Sequence, residues 1–423
     1  MYQRIGRAAY KSDLAKTLAL DEYFGHPHNR FQSIHIAGTN GKGSVAHMLA
    51  SVLKSAGYKT GLYTSPHLKD FRERIRINGG IIHEDVVTSF VNDHREILEK
   101  THPSFFEMTV AMAFDRFAKE EVDLAMIEVG MGGRLDSTNI ITPEVSVITN
   151  IGTDHSSFLG NSLPLIAGEK AGIIKPGIPV VIGEDQEETR RVFLKKAQEM
   201  GSTVFFASRE YKINHSAMNR SGYQVLQVYR KGRLFLGDLK TDLLGMYQHK
   251  NVLTALKVIE LINNSGKWEI RENAIREGLM NVSGLTGLRG RWEILSRNPL
   301  VVCDTAHNPE GIMEIVMQIR QVPWKNLHII MGFVNDKDPA MVLEQFPREA
   351  RFYFTQASIP RAMDKEKLAM EALKQGIHGQ VCSSPASALA QVKKVAGEHD
   401  MIFIGGSTFV VAEVLDESGS MKF

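Results

Sequence analysis

Short apolar runs recur along the chain, separated by stretches in which apolar residues return every three or four positions. Residues 31–37 (FQSIHIA) form the first clear run. After it, Val45, Met48, Leu49, Val52, Leu53 and Ala56 fall on one helical face, and Gly57 supplies a C-terminal stop. Runs at 124–129, 145–151 and 179–182 read as further buried strands. Strands alternating with helix-period segments predict a parallel sheet covered by helices. Residues 203–240 differ: alternating segments at 223–229 and 233–236, joined through Lys231-Gly232, predict antiparallel hairpins at the edge of this domain. Between 282 and 298, glycines at 284, 287 and 290 with Ser283 and Thr286 suit neither helix nor strand, which predicts a linker. Strands then resume at 300–303, 327–331, 352–355 and 401–404. The expected fold class is α/β, with a large domain over 1–288 and a smaller one over 289–423. Chemistry is expected in the cleft between the two.

A length of 423 residues agrees with two domains. The composition, 43% hydrophobic and 23% charged, is that of a globular protein, and a net charge of +2 gives no reason to expect a nucleic-acid partner. Cys303 and Cys382 lie far apart in apolar or small-residue surroundings, so buried thiols are expected rather than a disulfide. Residues 1–6 carry no apolar core of signal-peptide length, and no apolar run approaches the length of a bilayer span. The expected setting is a reducing cytoplasm, with no membrane partner.

The first strand leads into Gly38, Thr39, Asn40, Gly41, Lys42, Gly43 and Ser44, and then the amphipathic helix. In that order, glycines let backbone N–H groups turn around phosphate oxygens, and the helix N-terminus adds a favourable dipole. Lys42 would reach the terminal phosphates, Ser44 a magnesium ion, and Thr39 would add a hydroxyl contact. The spelling departs from the general P-loop, because the first gap is short and Gly43 separates Lys42 from Ser44. The large domain is therefore expected to be a P-loop nucleotide-binding domain with a mostly parallel sheet, and the smaller one Rossmann-like. The alternative is a glycine-rich turn that binds nothing.

Glu128 ends an apolar strand and enters Val129-Gly130-Met131-Gly132-Gly133-Arg134-Leu135-Asp136. A carboxylate at the C-terminal end of a parallel strand faces the ligand crevice, and magnesium takes hard oxygen ligands shared with phosphates. Asp154 and His155 follow the next strand in the same way; His155 reads as ligand or core histidine, Asp154 as ligand or cap. Lys170 and Lys175 read on physics alone as solvated surface charges. Glu107 either helps hold a substrate or starts the helix that follows.

GTNGKGS, TSPHL (64–68), EVGMGGRLDSTN (128–139), TNIGTDH (149–155), EKAGIIK (169–175) and DTAHNP (304–309) occur together and in this order. The set closely resembles the folylpolyglutamate synthase and dihydrofolate synthase family of the Mur-ligase superfamily, over nearly the whole chain. The resemblance implies an N-terminal ATP-binding Mur-ligase-type domain and a C-terminal glutamate-ligase domain. Lys42 would hold the β- and γ-phosphates, and Ser65, Glu128 and His155 would bind magnesium. Lys170 matches a lysine that the family carries as a carbamate, an anionic ligand suited to a second magnesium; as an ammonium it could not bind a cation. Arg291, Asp304 and His307 correspond to residues that reach ATP from the second domain, and Gln248 and Asn251 to a nucleotide-side motif. Tyr247 departs from the family, which usually has histidine there. Lys337 and Ser407 resemble positions that hold the incoming amino acid's carboxylate. For Glu107 the two readings stay open, holding the pterin or capping the helix that follows.

The implied reaction is ATP-dependent amide formation between L-glutamate and dihydropteroate or a reduced folate, by a monomer whose partners are small molecules. A carboxylate does not react with an amine at neutral pH, whereas an acyl phosphate has a good leaving group. Charge on the moving phosphoryl group needs lysine, magnesium and helix dipole more than a nucleophilic side chain. Closure of a second domain would keep water from the acyl phosphate. Three other readings compete: a peptidoglycan Mur ligase, a nucleotide-gated binding protein and a Rossmann oxidoreductase. The phosphate loop begins only at Gly38, leaving no separate UDP-binding domain before it. A gated binding protein would not need the second-domain set. The loop's lysine and the missing G-x-G-x-x-G argue against the oxidoreductase.

Overall fold

A computed structural model of the chain describes residues 13–154, 156–335 and 339–418. They divide into two compact units: one ends at Asp242 and resumes over Gln248–Leu288, the other takes Leu243–Tyr247 and the chain from Arg289 onward.

The first unit is organised by strands β1 (Gln32–Ala37), β2 (Thr60–Tyr63), β3 (Ile75–Ile77), β4 (Gly80–Ile81), β5 (Leu124–Glu128), β6 (Val145–Ile148), β7 (Val180–Ile182) and β8 (Val204–Phe206). They form one sheet in the order β4-β3-β2-β5-β1-β6-β7-β8. All neighbours from β2 to β8 pair in parallel, while β3 runs antiparallel to both β2 and β4. Every residue of β5 is buried, as expected of a strand covered on both faces. Ala125 and Ile127 pack with Phe114 and Phe117 of the helix Phe105–Lys119, and a separate cluster joins Ile148, Val180 and Ile182 to Ile166 and Phe193. Parallel pairing in the register Ile36↔Glu128 and Ala37↔Ile148 brings three strand ends to one edge. The loops after β1, β5 and β6 therefore start side by side.

Strands β9 (Tyr211–Met218), β10 (Gln224–Arg230) and β11 (Arg233–Thr241) make the expected antiparallel hairpins. Lys231 and Gly232 turn the last one with φ of 48° and 80°, the left-handed pair that suits a two-residue hairpin.

The second unit holds β12 (Glu293–Arg297), β13 (Leu300–Cys303), β14 (Leu327–Met331), β15 (Arg351–Phe354), β16 (Gly379–Val381) and β17 (Met401–Gly405), in the order β12-β13-β17-β14-β15-β16. Only β12 is antiparallel to its neighbour. Ile315 and Ile319 of the helix Pro309–Ile319 pack in its core with Val302, Ile329, Phe354 and Phe403.

Two expectations need correction. The supposed linker is ordered: Val282–Thr286 is a helical turn and Glu293–Arg297 is β12. The turn is started from a distance, by the Asp242 carboxylate accepting the Val282 and Ser283 N–H groups at 3.0 and 2.8 Å. His47 Nδ1 meets the buried Thr286 hydroxyl at 2.7 Å. The simple division at 288 also misses Leu243–Tyr247, which packs with the second unit. There the Gln318 amide accepts the Met246 N–H at 2.7 Å and donates to the Leu244 carbonyl at 2.9 Å. Cys303 and Cys382 are free and buried. Among the described residues, no helix is long and apolar enough to cross a membrane.

Candidate active site

The helix Lys42–Ser55 starts directly from the loop after β1, with Gly41 as its left-handed N-cap at φ 86°. A Cβ at Gly41 would lie 2.2 Å from Asn251 Oδ1, so both backbone angle and space require glycine. The first-turn N–H groups have no carbonyl partner within the helix and carry its positive dipole end. Two N–H groups of the loop are committed inside the protein: Thr39 donates to the Asn150 carbonyl at 3.0 Å and Asn40 to Asn150 Oδ1 at 2.9 Å. The Thr39 hydroxyl bonds Gly152 both ways, at 2.9 and 3.2 Å. An anion at the loop would therefore meet the N–H groups of Gly41, Lys42, Gly43 and Ser44. Gln248 and Asn251, at the start of the helix Gln248–Asn264, brace the loop. Gln248 Nε2 donates to the buried Ser44 Oγ at 3.2 Å, and Asn251 Nδ2 donates to Gln248 Oε1 at 2.7 Å.

Two lysines converge on one carbonyl oxygen. Lys42 Nζ donates to Gly38 O at 3.1 Å and to Thr39 O at 3.1 Å, and Lys170 Nζ donates to Gly38 O at 2.9 Å. Lys170 is buried, 4% exposed, which overturns its reading as a surface charge. Burial, then the like charge of Lys42, lowers its pKa to about 7 against the opposing pull of Asp154 and Asp136. Lys42, Asp154 and Lys170 line a polar recess of about 300 Å³, open mouth included, with Gly38, Thr39 and the stretch 129–132. Lys170 is fixed from behind: a Cβ at Gly133 would lie 2.8 Å from the Glu169 carbonyl and 3.0 Å from Lys170 Cα. Arg134 N–H also donates to Glu169 O at 2.9 Å. Lys175 Nζ, partly buried as well, donates to the Asn139 carbonyl at 2.8 Å.

Glu128, the last residue of β5, is buried, and its Oε2 accepts the Ser65 N–H at 3.1 Å. These two members of the expected metal set are thus together; His155 lies outside the described residues. Asp136, which sequence reasoning gave no role, organises the loop between them and Lys170. Its Oδ2 accepts the Gly130 and Met131 N–H groups at 3.0 Å each, and its Oδ1 accepts the Thr138 N–H at 3.0 Å and hydroxyl at 2.5 Å. Glu107 sits in a capping box, accepting the Ser104 N–H at 2.6 Å while Ser104 Oγ accepts the Glu107 N–H at 3.2 Å.

In the second unit, Arg291, Asp304 and His307 meet around Thr305. The Arg291 guanidinium donates to Gly290 O at 3.1 Å and to the Thr305 hydroxyl, and His307 Nδ1 lies 3.0 Å from Thr305 O. Asp304 follows β13 and is fully enclosed. Its Oδ2 accepts the Tyr247 hydroxyl and the Trp292 N–H, both at 2.6 Å, and its Oδ1 accepts the Ala306 N–H at 2.8 Å. Burial raises its pKa while Arg291 and these donors oppose the rise. Trp292 has φ 47°, costly for a tryptophan, and its N–H bond to Asp304 holds it there. Ser407, buried beyond β17, accepts the Val410 N–H at 3.2 Å; Lys337 lies outside the described residues.

The Mur ligase middle domain matches residues 36–259, and the Mur ligase glutamate ligase domain matches residues 290–408. The dihydrofolate synthase/folylpolyglutamate synthase of Bacillus subtilis is 30% identical over 96% of this chain and 94% of its own. The chain belongs to the folylpolyglutamate synthase/dihydrofolate synthase family of Mur ligases. Members of this family are ATP-dependent ligases of folate metabolism. The fold agrees: a Mycobacterium tuberculosis folylpolyglutamate synthase complexed with ADP and AMPPCP superposes with a TM-score of 0.89 at 30% identity, covering 97% of this chain and 96% of that one. A bifunctional folylpolyglutamate synthase/dihydrofolate synthase with Mn, AMPPNP and L-glutamate bound gives 0.84 at 27% identity, covering 98% and 96%. Tyr247, at the position expected to depart from the family, has an observed partner in Asp304. The aspartate of GGRLD and the asparagine of TNIG carried a sequence signal only as parts of family segments, since most of their bonds are to backbone N–H groups and the rest to residues whose contact no local pattern announces.

Proposed function

We propose that this chain joins L-glutamate to the carboxylate of dihydropteroate, of a reduced folate, or of both, using ATP. The observation that carries the reading is the convergence of Lys42 and Lys170 on the Gly38 carbonyl beside the first turn of a helix. Two amines and a row of N–H groups at one recess form a receptor for phosphate oxygens.

The acceptor carboxylate attacks the γ-phosphorus of ATP, the bond to ADP breaks, and an acyl phosphate forms. The glutamate amine, as the free base, attacks the acyl carbon; the C–O bond breaks, phosphate leaves, and the nitrogen loses its remaining extra proton. Lys42 and the helix N-terminus stabilise charge on the phosphoryl oxygens. Glu128 supplies a hard carboxylate with Ser65 beside it, and His155 completes the proposed ligand set, which fits a divalent cation sharing ligands with phosphate. Magnesium held there would screen the triphosphate charge. An amine with a pKa of about 7 is substantially neutral at physiological pH, so Lys170 is suited to take up CO₂ as a carbamate and become an oxygen ligand for a second cation. Arg291 and His307 serve the nucleotide, Asp304 by holding the Arg291-Trp292 backbone, and Lys337 and Ser407 the glutamate carboxylate. Glu107 acts at the helix start, and any part in binding the pterin runs through that helix. On this reading the chain is a cytoplasmic monomer.

The test is magnesium-dependent phosphate release from ATP with glutamate, run separately with dihydropteroate and with tetrahydrofolate, and product mass measured alongside. Both acceptors gaining one glutamate marks a bifunctional synthase, and one alone a specialised enzyme. ATP turnover without either product removes the folate assignment.

A further inference from the structure

The phosphate loop leans on a side chain whose own orientation is set from further out. Asn150 Oδ1 accepts the Asn40 N–H at 2.9 Å, and Asn150 Nδ2 donates to Glu184 Oε1 at 2.9 Å. Glu184 Oε2 in turn pairs with Lys250 Nζ at 2.9 Å. The orientation of the amide is determined twice over. A backbone N–H can bond only to the amide oxygen, and a carboxylate only to the amide nitrogen. Turned around, Asn150 would present N–H to N–H at the loop and oxygen to oxygen at Glu184. The carboxylate is also fixed by its backbone, since the Glu184 N–H donates to Thr149 O at 3.1 Å and the Gly183 N–H to Ile148 O at 2.8 Å. Glu184 therefore stands on the residue that precedes the amide it orients. Thr149 completes the brace, its hydroxyl donating to Asn40 O at 2.6 Å. Lys250 lies between Gln248 and Asn251, the two side chains that brace the loop from the other helix.

We propose that Glu184 is a positioning residue for nucleotide binding: it holds the Asn150 amide with its oxygen toward Asn40, keeping the loop shaped for phosphate. This rests on the reading of the loop as an ATP site. It opposes what charge alone predicts, because removing a carboxylate near a triphosphate would otherwise strengthen binding.

Affinity for AMPPNP with Mg²⁺ is measured by calorimetry on the full chain, with thermal melting of every variant. Glu184→Gln keeps an oxygen acceptor for Asn150 Nδ2 and should bind within about threefold of wild type, whereas Glu184→Leu should bind roughly tenfold or more weakly, the scale of one lost hydrogen bond to a charged group. The ATP KM should follow affinity, and kcat at saturating ATP and the glutamate KM should stay near wild type. Asn150→Asp should also weaken binding, by facing Glu184 with a second carboxylate. Adding Glu184→Gln, whose amide can donate to the new carboxylate, should recover most of that loss. Equal weakening by Glu184→Gln and Glu184→Leu would assign the effect to the ion pair with Lys250, and tighter binding by both to repulsion; either overturns the proposal. So do variants that bind like wild type, or a double variant no better than Asn150→Asp. If Glu184→Leu melts early, the Asn150→Asp pair decides. Wild type that binds no nucleotide removes the ATP-site reading instead.

Discussion

Lys170 and Asp304 are both charged groups withdrawn from water, and their surroundings differ in kind. Asp304 receives a tyrosine hydroxyl and two backbone N–H groups on its two oxygens, and through them fixes a strained tryptophan beside Arg291. Arg291 and these donors offset part of the burial that raises its pKa, and through them it acts as an organiser. Lys170 shares one carbonyl oxygen with a second lysine, in a recess whose lining includes one carboxylate, Asp154. Its amine is pushed toward the neutral form. A self-satisfied charge holds structure together, whereas one crowded by its own sign is poised for an anion or for modification.

The comparison can be broken by substitution. Lys42→Ala should leave melting almost unchanged and reduce ATP-driven product formation by about 10²–10³-fold, the range for removing one preorganised donor from a developing anion. Asp304→Ala should do the reverse of an innocent surface change: three buried donors lose their acceptor, and chemical denaturation should report a loss of roughly 3 kcal/mol. Tyr247→Phe removes one of those donors and should cost about 1.5–2 kcal/mol in the same experiment. If Asp304→Ala proves harmless to stability, the carboxylate is no organiser.

Lys170 should respond to pH around neutrality. Its neutral fraction rises with pH through about 7, so turnover in bicarbonate buffer should rise roughly tenfold between pH 6 and 8 and then level. The stability sign agrees. Between about 7 and the ordinary lysine value of 10.5 the unfolded chain binds the extra proton, so this group makes stability rise with pH across that window. Lys170→Met should abolish turnover and yet raise stability by ~1 kcal/mol, since it removes a desolvated amine at an active site. Glu107→Gln is the smallest effect, about 0.5 kcal/mol from a weakened capping box, with the acceptor KM near wild type. A large KM change there would assign Glu107 to the substrate.

Much of this was legible in the residues. The parallel strands announced themselves as apolar runs, and GTNGKGS sat between strand and helix where its chemistry requires. Burial of Lys170 was not legible, because nothing local distinguishes a lysine under a glycine turn from one in solvent; Gly133, far off in sequence, makes the difference. The turn Val282–Thr286 was read as a linker because its cap comes from Asp242 rather than from a neighbour. Sequence patterns report short-range order, and both of these features are made by contacts across long stretches of chain. The Glu184 brace was hidden for the same reason, being a bond between ends of adjacent strands.

The five residues Leu243–Tyr247 leave one compact unit for the other and return. For anyone dividing the gene, this means that no single cut separates the two modules. A piece ending at Leu288 would keep Met246, Leu244 and Tyr247 but lose Gln318 and Asp304, to which they bond. The complementary piece would have a buried carboxylate short of a donor. A clean separation would need breaks on both sides of this five-residue strap as well as after Leu288.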